Sequence, residues 1–301
     1  MKIGVVGVGY WGSKVVNEYL DLVEDRIIDS VSLCDIDKGR LGLFKGVKTS
    51  TSLEEFLRNV DAVHICTNNH THYQIAKKAL ENDVHVLVEK PMTTSSNDAY
   101  HLVELASEKG MVLQVGHIFR FANVIRKTKE LLDNEFFGKI YYFTLRWTTL
   151  MQPIKGVDII WDLLPHPLDI IHFLTGKYPL SWNVMARHFR REKLSELAFI
   201  NLDYGNFVAN IELSWLAPER KRMLEIVGSD KMARIECVRQ KMSIIAEDDR
   251  YEISIEANNT IREEILNFIE AVDSGKMPFN SHIIGAKNVD IIEKIIGGYM
   301  R

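Results

Sequence analysis

Short apolar runs alternate with amphipathic, helix-like segments over the first third of the chain. The connections between them are short, and six strands are expected in this region. The strand-like runs stand at residues 1–6, 27–34, 61–66, 84–88 and 111–115. The helix-like segments stand at residues 13–20, 37–44, from 52 onward, 71–81 and 95–109. Apolar strands joined through helices are typical of a parallel sheet covered on both faces, so this third is predicted to be an α/β domain.

The pattern changes after His117, where strand-like segments begin to follow one another directly. Gly205 and Asn206 separate two of them and predict a hairpin turn. The other strands are expected at 222–227, 233–238, 242–246 and 251–255, and the helices at 120–133, 168–175, 261–273 and 282–297. Consecutive strands indicate an α+β domain with a large, mostly antiparallel open sheet. The predicted domains are residues 1–118 and 119–301, with no long linker between them.

A glycine-rich turn joins the first strand to the first helix. It reads Gly7-Val8-Gly9-Tyr10-Trp11-Gly12, which is G-x-G-x-x-G in the strand-to-helix context that gives the pattern its meaning. Gly7 allows the turn, Gly9 leaves room for a pyrophosphate, and Gly12 permits close helix–strand packing. Asp35 ends the second strand about 20 residues later, where an acid binds the adenosine ribose hydroxyls. We therefore predict a Rossmann domain that binds NAD, rather than a glycine turn of some other α/β protein.

Composition narrows the class of partner. The 301 residues carry a formal net charge of −4, with 46% hydrophobic and 26% charged residues. A near-neutral, slightly acidic balance gives no reason to expect nucleic acid or an anionic membrane as partner. The first strand begins at Met1 and leaves no room for a signal peptide, and no apolar run could span a bilayer. The three cysteines show no C-x-x-C spacing, and Cys34 and Cys66 end core strands, which fits a cytoplasmic protein.

Several further motifs give the chain a family resemblance. They are Cys34-Asp35, Ile65-Cys66-Thr67-Asn68 with His72, Glu89-Lys90-Pro91, and Asp162-Leu163-Leu164-Pro165-His166-Pro167-Leu168-Asp169. Together with the glycine turn they resemble the Gfo/Idh/MocA dehydrogenases over nearly the whole chain. Residues 211–218 and 226–229 are most similar to the nucleotide-sugar branch, which includes UDP-N-acetylglucosamine and UDP-N-acetylglucosaminuronate 3-dehydrogenases. Asn68, in place of the usual proline, and Pro167, in place of an acid, depart from those patterns.

The resemblance implies a set of site residues. The catalytic residues would be Lys90, Asp162 and His166, and the bond before Pro91 would be cis. The residues implied to bind cofactor are Gly7, Gly9, Tyr10, Trp11, Gly12, Asp35, Thr67, Asn68, His72, Glu89 and Lys90. Candidate substrate contacts are Lys90, His117, Arg120, Lys155 and Asp169.

The chemistry of these residue types suits alcohol oxidation. A histidine titrates near neutrality, so His166 is the candidate base for the hydroxyl proton. Lys90, at the carboxyl end of a strand, can donate to the developing alkoxide, while Asp162 orients the imidazole or accepts from the substrate. Without the resemblance, a histidine in the position of His166 is more often structural. Asp169 can equally cap a helix or be a solvated side chain. Because proline is tolerated only in a first turn, we expect a helix to begin between Pro165 and Pro167, with Asp162 in the turn before it.

The remaining charged and metal-binding candidates are weaker. Asp35 favours NAD, although Arg40 could reach the extra phosphate of NADP, so dual use stays open. His70 and His72 lack a third ligand at a recognisable spacing, so no metal is expected. Arg120 and Lys155, as lone charges, are expected at the surface.

The sequence thus predicts an NAD-dependent dehydrogenase that oxidises a secondary hydroxyl of a sugar or sugar derivative, including a UDP-sugar at C3. One alternative is a cyclitol or free-sugar dehydrogenase, or a keto-sugar reductase, on the same fold. Another is a regulator that binds NAD without turnover, because a fold does not fix a function. The open sheet of the second domain predicts a homodimer or homotetramer.

Overall fold

The computed structural model describes residues 1–152, 156–190 and 194–299. The chain forms two compact units. Unit 1 comprises Met1–Gly116 and Ile261–Asp290, and unit 2 comprises His117–Thr260 and Ile291–Arg301. Within the described ranges, no helix is long and apolar enough to cross a membrane.

Unit 1 is built on a six-stranded parallel sheet of strand order 3-2-1-4-5-6. This is the doubly wound order of dinucleotide-binding domains, so the α/β prediction is confirmed. The strands are β1 (Lys2–Val6), β2 (Ser30–Cys34), β3 (Lys48–Ser50), β4 (Ala62–Ile65), β5 (His85–Glu89) and β6 (Leu113–Gly116). The helices among them are α1 (Tyr10–Glu24), α2 (Lys38–Leu41), α3 (Leu53–Leu57), α4 (Asn69–Glu81) and α5 (Ser96–Lys109). The edge strand β3 is the sixth strand and lies outside the strand segments located from the sequence.

Local signals explain where several of these helices begin and end. The Ser52 hydroxyl accepts from the Glu55 N–H, and the Ser95 hydroxyl accepts from the Asp98 N–H, so each serine caps a helix. Gly110 ends α5 in the left-handed conformation, with φ 66°. The predicted ends of these elements are therefore confirmed within a residue or two.

The chain returns to unit 1 near its end. Helix α9 (Thr260–Ser274) and the first half of α10 (His282–Tyr299) cluster with the Rossmann sheet. Ile265, Phe268 and Ile269 complete the same apolar core as the strands and α1. The Gln114 side-chain amide also donates to the Glu264 carbonyl at 3.2 Å. A single boundary near residue 118 does not predict this return.

Unit 2 is built on an eight-stranded sheet of order 14-13-12-11-7-10-9-8. Among the strand pairs of the described residues in this sheet, β7–β10 is parallel and the others are antiparallel, which confirms a mostly antiparallel sheet. Its strands are β7 (Ile140–Leu150), β8 (Ser181–Arg187), β9 (Leu197–Asp203), β10 (Val208–Ser214), β11 (Leu216–Gly228), β12 (Met232–Glu236), β13 (Lys241–Ile245) and β14 (Arg250–Ile253). Gly205, with φ 83°, turns the predicted β9–β10 hairpin.

One face of this sheet carries the core of unit 2. Trp147, Trp215 and Phe143 are fully buried there. A 3₁₀ helix (Ile118–Phe121) and the helices α6 (Asn123–Asp133), α7 (Ile159–Leu163) and α8 (Pro165–Thr175) belong to this unit. Helix α8 begins at Pro165, as the prolines predict. Asp162, however, lies inside the short helix α7 rather than in a turn, because the Asp158 side chain caps that helix at the Ile160 N–H.

Candidate functional site

The three glycines of the first turn are glycines for different reasons. Gly7 has φ 91°, and a Cβ there would lie 2.7 Å from the Thr67 methyl carbon. A Cβ on Gly12 would lie 2.0 Å from the Gly7 carbonyl oxygen, so helix and strand meet only without a side chain. A Cβ on Gly9 would instead find its nearest heavy atom 3.7 Å away, on Arg40. The protein itself does not require glycine at position 9, which leaves that space to a ligand.

The N-terminus of α1 has the character of an anion site. Gly9 is its N-cap and supplies no side-chain hydrogen bond, and the first turn of this 15-residue helix contains no acidic residue. Its first N–H groups and the positive end of its dipole therefore face outward at the glycine turn. A dinucleotide pyrophosphate fits this arrangement, and Gly9 would hold it against the backbone.

Asp35 ties the glycine turn to β2. Its Oδ2 accepts from the Val8 N–H at 2.7 Å, and its Oδ1 accepts from the Asp37 N–H at 2.8 Å. Each oxygen keeps a second lone pair for a ribose hydroxyl. The Arg40 guanidinium is half exposed and lies 3.9 Å from Asp35 and 3.5 Å from Asp37, so these two acids already engage it.

Glu89 precedes Lys90 and points into the interior of unit 1. It is 8% exposed, and its Oε1 accepts hydrogen bonds from the Trp11 indole and from His64 Nε2, the latter at 3.4 Å. Burial would raise the pKa of Glu89, but His64, Trp11 and the Lys90 charge together hold that pKa below its ordinary value. The carboxylate is therefore engaged with protein groups, and its contact with cofactor stays a prediction.

His72 fixes the other side of Lys90. Its Nδ1 lies 2.9 Å from the Pro91 carbonyl oxygen and its Nε2 lies 3.1 Å from the Thr67 carbonyl oxygen. The ring is 1% exposed, and this burial lowers the pKa of His72. The ring therefore lies between the cis Lys90–Pro91 segment and the loop at Thr67, and its contact with cofactor stays a prediction.

The loop after β4 places its polar residues at the start of α4. Asn68 is the exposed N-cap residue, and the Thr71 hydroxyl donates to the Thr67 hydroxyl at 2.7 Å. Both Thr67 and Asn68 stay candidates for cofactor contact. Tyr10 and Trp11 open α1, with Tyr10 80% exposed.

A trio of possible metal ligands occurs in unit 1, at residues other than His70 and His72. One ligand atom each of His64, Cys66 and Glu89 lie within 4.8 Å of one another. Burial, with the charges of Glu89 and Glu264, raises the pKa of the Cys66 thiol well above its ordinary value. A protonated thiol is a poor metal ligand, and Glu89 already accepts two hydrogen bonds, so the trio is better described as a hydrogen-bonded His64–Glu89 pair beside a thiol.

In unit 2, α7 and α8 carry two of the predicted catalytic residues. His166 is the second residue of α8, is half-buried, and meets the Phe119 ring edge to face at 5.1 Å. Phe119 in turn meets Trp147 edge to face at 5.5 Å, which supports the imidazole from the core side. Asp162 stands four residues before His166 and is also half-buried.

Arg120 and Asp169 form a buried ion pair, which corrects the expectation that Arg120 is a surface charge. Arg120 Nε donates to both Asp169 oxygens at 2.8 and 2.9 Å, and the two residues are 3% and 1% exposed. Arg120 also donates to His172 Nδ1 at 2.9 Å, and His117 lies 3.9 Å from Asp169. Burial and the Arg120 charge lower the pKa of His172 to about 4. The cluster anchors α8, the helix that carries His166, and substrate contact by His117, Arg120 and Asp169 stays a prediction.

Arg222 is a candidate that the sequence analysis missed. It pairs in register with Trp147 across β11 and β7, and its Nη1 donates to the Thr148 carbonyl at 2.9 Å. Burial and neighbouring Arg220 lower the pKa of Arg222 to about 10, while the Asp162 charge acts in the opposite direction. The available signal was an arginine that alternates along its strand with the apolar residues Leu224 and Ile226. Lys155, the other predicted cation, lies outside the described residues.

Two family models match the chain. Residues 1–117 match the oxidoreductase family model with an NAD-binding Rossmann fold, and residues 125–234 match the GFO/IDH/MocA C-terminal domain. UDP-N-acetylglucosamine 3-dehydrogenase of Acidithiobacillus ferrooxidans is 28% identical over 249 residues, covering 81% of this chain and 76% of its own length. Myo-inositol 2-dehydrogenase of Thermotoga maritima is 30% identical over 189 residues, covering 59% of this chain and 55% of its own length.

Solved structures share the fold over the whole chain. The A. ferrooxidans enzyme superimposes with a TM-score of 0.85 at 24% identity, covering 98% of this chain and 96% of its own. An oxidoreductase from Agrobacterium radiobacter, in complex with NAD⁺, L-tartaric acid and magnesium, gives 0.84 at 17% identity, with 100% and 97% covered.

Proposed function

The chain belongs to the Gfo/Idh/MocA family of oxidoreductases with an NAD-binding Rossmann domain, and from this premise we propose that it oxidises a secondary hydroxyl of a sugar or sugar derivative. The observation that carries the proposal is the way Lys90 is held. Glu89 before it and Pro91 after it are each bound by a buried histidine, at the carboxyl end of a sheet strand. Ligands of open α/β sheets bind at that end.

NAD, when bound at the glycine turn, supplies the acceptor for the hydride. In the proposed reaction, His166 accepts the hydroxyl proton while the Lys90 ammonium donates to the oxygen that gains negative charge. Such donation stabilises an alkoxide more in the transition state than in the ground state. Asp162 supports the imidazole, and the Phe119 ring limits how it can turn.

For the substrate class we favour a nucleotide sugar oxidised at C3. Support comes from the A. ferrooxidans relative, which is a UDP-N-acetylglucosamine 3-dehydrogenase and aligns over most of both chains. The Arg222 guanidinium on β11 offers a positive charge suited to a phosphate or carboxylate. A free cyclitol is the second candidate, because a relative of 30% identity is a myo-inositol dehydrogenase.

The test is reduced-nicotinamide absorbance with NAD and a panel of UDP-N-acetylglucosamine, its uronate, myo-inositol, glucose and xylose. We expect turnover with a UDP-sugar, and a loss of about a hundredfold or more in kcat for Lys90→Ala and for His166→Asn. Lys109→Ala is the matched control, since that lysine ends α5, where it pairs with exposed Asp83 and donates to the Glu81 carbonyl, and its rate should be unchanged. Turnover with myo-inositol alone would move the substrate to the cyclitols, and undiminished rates in both variants would discard the assigned roles.

We further propose that residues 119–301 bind substrate and join two or four copies of the chain through the outer face of the unit 2 sheet. Tyr142 and Val208 pair in register there, as do Phe199 and Met185, and all four are 40–58% exposed. Apolar side chains of this size on one open sheet face favour cover by a second copy. Sedimentation equilibrium should give a dimer or tetramer that Val208→Glu dissociates, and a monomeric wild type would contradict the proposal.

We propose a cytoplasmic location, supported by three free cysteines and by the use of NAD. Fractionation of cells that produce the protein, followed by immunoblotting, would test it. Recovery in a secreted or membrane fraction would contradict it.

A further inference from the structure

A series of largely buried hydrogen bonds links α1 to β4 and β5 through His64, a residue to which the proposed reaction gives no role. Tyr19 Oη lies 3.3 Å from His64 Nδ1, and His64 Nε2 lies 3.4 Å from Glu89 Oε1. The same Oε1 accepts from the Trp11 indole N–H. Tyr19 and His64 are fully buried. This series of hydrogen bonds therefore starts and ends on α1 and passes through His64 of β4 and Glu89 of β5.

The direction of each hydrogen bond follows from the ionisation of its ends. Glu89 is held ionised and can only accept, so His64 Nε2 must donate to it. Burial, with the charges of Glu264 and Glu89, raises the pKa of Tyr19 well above its ordinary value, so its hydroxyl keeps the proton and can donate to Nδ1. A His64 ring that donates from Nε2 to Glu89 and accepts at Nδ1 from Tyr19 satisfies both neighbours at once.

The sheet leaves space for this carboxylate at a glycine. Glu89 pairs in register with Gly116 of β6, and a Cβ at position 116 would lie 2.9 Å from Glu89 Oε2. A buried carboxylate is costly unless donors surround it, and Trp11 and His64 supply them on a single oxygen. The Trp11 hydrogen bond fastens the first turn of α1 to β5, the strand that precedes Lys90.

We propose that His64 is a positioning residue: through Glu89 it fixes Trp11, and with it the glycine turn that would receive the pyrophosphate, relative to Lys90. His64 does not reach the cofactor itself. Its effect is on the affinity for NAD, whatever the substrate proves to be. The inference rests on NAD binding and not on the proposed sugar chemistry, so the two can fail separately.

The test begins on protein without cofactor, by NMR of ¹⁵N-labelled tryptophan indoles. Trp11→Phe assigns the Trp11 signal by its disappearance, and an indole that donates to a carboxylate should resonate downfield. His64→Leu should move that signal upfield and raise the NAD Kd, measured by calorimetry, about tenfold, which is the loss of one hydrogen bond to a buried charge. His64→Gln keeps a donor toward Glu89 and should stay within about threefold of the wild type.

Coupling between the two residues separates positioning from a general loss of stability. If His64 acts through Trp11, adding His64→Leu to Trp11→Phe should raise Kd little further, since the contact is already gone. Tyr19→Phe retains the ring and removes only the hydroxyl, and should raise Kd about threefold. His101→Leu is the matched control, because it breaks another Tyr–His contact, Tyr73 Oη to His101 Nδ1 at 3.1 Å, elsewhere in unit 1.

Two results would overturn the inference. One is an unchanged Trp11 signal and unchanged Kd in His64→Leu. The other is a set of additive losses of NAD affinity that follow stability alone. In that case His64→Leu, His64→Gln and His101→Leu would all weaken NAD binding in proportion to the decrease that each causes in the unfolding temperature.

Discussion

At the scale of single residues, the glycine turn shows how one motif combines two demands. Gly7 and Gly12 are required by the chain itself, through a positive φ and a carbonyl oxygen that no Cβ could approach. Gly9 meets neither constraint, and its space is open. The part of the motif that serves the ligand is therefore separable from the part that serves the fold.

This separation predicts opposite outcomes for two alanine variants. Gly9→Ala should unfold within about 1 kcal/mol of the wild type but bind NAD at least tenfold more weakly, since the methyl group occupies the ligand's space. Gly12→Ala should lose several kcal/mol, because its Cβ would stand 2.0 Å from the Gly7 carbonyl oxygen. Urea unfolding and NAD calorimetry on both variants check this. Equal losses of stability in the two would contradict the assignment.

The residues whose role is local can be predicted from the sequence, whereas those whose role depends on a partner distant in the chain cannot. The glycines, Asp35 and the serine caps are recognised from their neighbours in the chain. Arg120 was expected at the surface because its partner, Asp169, lies 49 residues away and no periodicity links them. His64 was passed over for the same reason, since its environment comes from a helix and a second strand.

At the scale of elements, α8 is held by its own first turn and by one buried cluster. Pro165 begins the helix without needing a donor, and Asp169 one turn later binds Arg120 from the 3₁₀ helix. His172, a further turn along, accepts from the same arginine and stacks on Tyr178 at 4.2 Å. The element that carries His166 is thus fixed from one side by a single guanidinium.

The cluster predicts how stability depends on pH. His172 has its pKa lowered from 6.5 to about 4, so between these values the unfolded chain binds more protons than the folded one. The contribution of the neutral His172 to the free energy of unfolding is fully present above about pH 6.5 and is lost as pH falls toward 4. His172→Gln keeps an acceptor for Arg120 but does not titrate. The difference in free energy of unfolding between wild type and this variant should therefore change by on the order of 1 kcal/mol across this range, after allowance for solvent screening.

Urea unfolding of wild type and His172→Gln at several pH values between 7 and 4.5 measures this. The wild-type profile should be the steeper one. Parallel profiles would show that the imidazole titrates alike in the folded and unfolded chain.

How closely a helix or strand can be located from the sequence depends on its length and on its capping or turn residues. Helices with a serine cap or a terminal glycine were located closely, as was the β9–β10 hairpin at Gly205. The three-residue strand β3 has one neighbour in its sheet and too few residues to show a period. Helix α7 was missed because five residues before a proline look like a turn until Asp158 is seen to cap them.

At the scale of the molecule, the order of α/β and α+β patterns was enough to predict both sheets. It could not predict that residues 261–290 belong to unit 1. The apolar stripe of α9 predicts that one face of this helix is buried, but it does not indicate against which sheet. That information resides in the shape of the surface that α1 and the strands present, which only the folded chain defines.

Unit 1 should accordingly be incomplete when cut at residue 118. The fragment 1–118 lacks Ile265, Phe268 and Ile269, and removing one large apolar side chain from a core already costs about 3–5 kcal/mol. We expect it to retain far-ultraviolet dichroism, lose near-ultraviolet signal and bind a hydrophobic dye. A peptide of residues 260–290 added in trans should restore cooperative unfolding. A fragment that unfolds as sharply as the whole chain would contradict the shared core.

The same return of the chain has a consequence for its synthesis. On a ribosome, the residues that complete unit 1 emerge only after roughly 140 residues of unit 2 have been made. At about 5–20 residues per second this is a delay of roughly 7–30 s, far longer than small domains need to collapse. During that interval the nascent first unit exposes the apolar surface that α9 later covers. The length of the inserted unit, rather than the sequence of the first one, therefore sets how long this apolar surface stays uncovered in the growing chain.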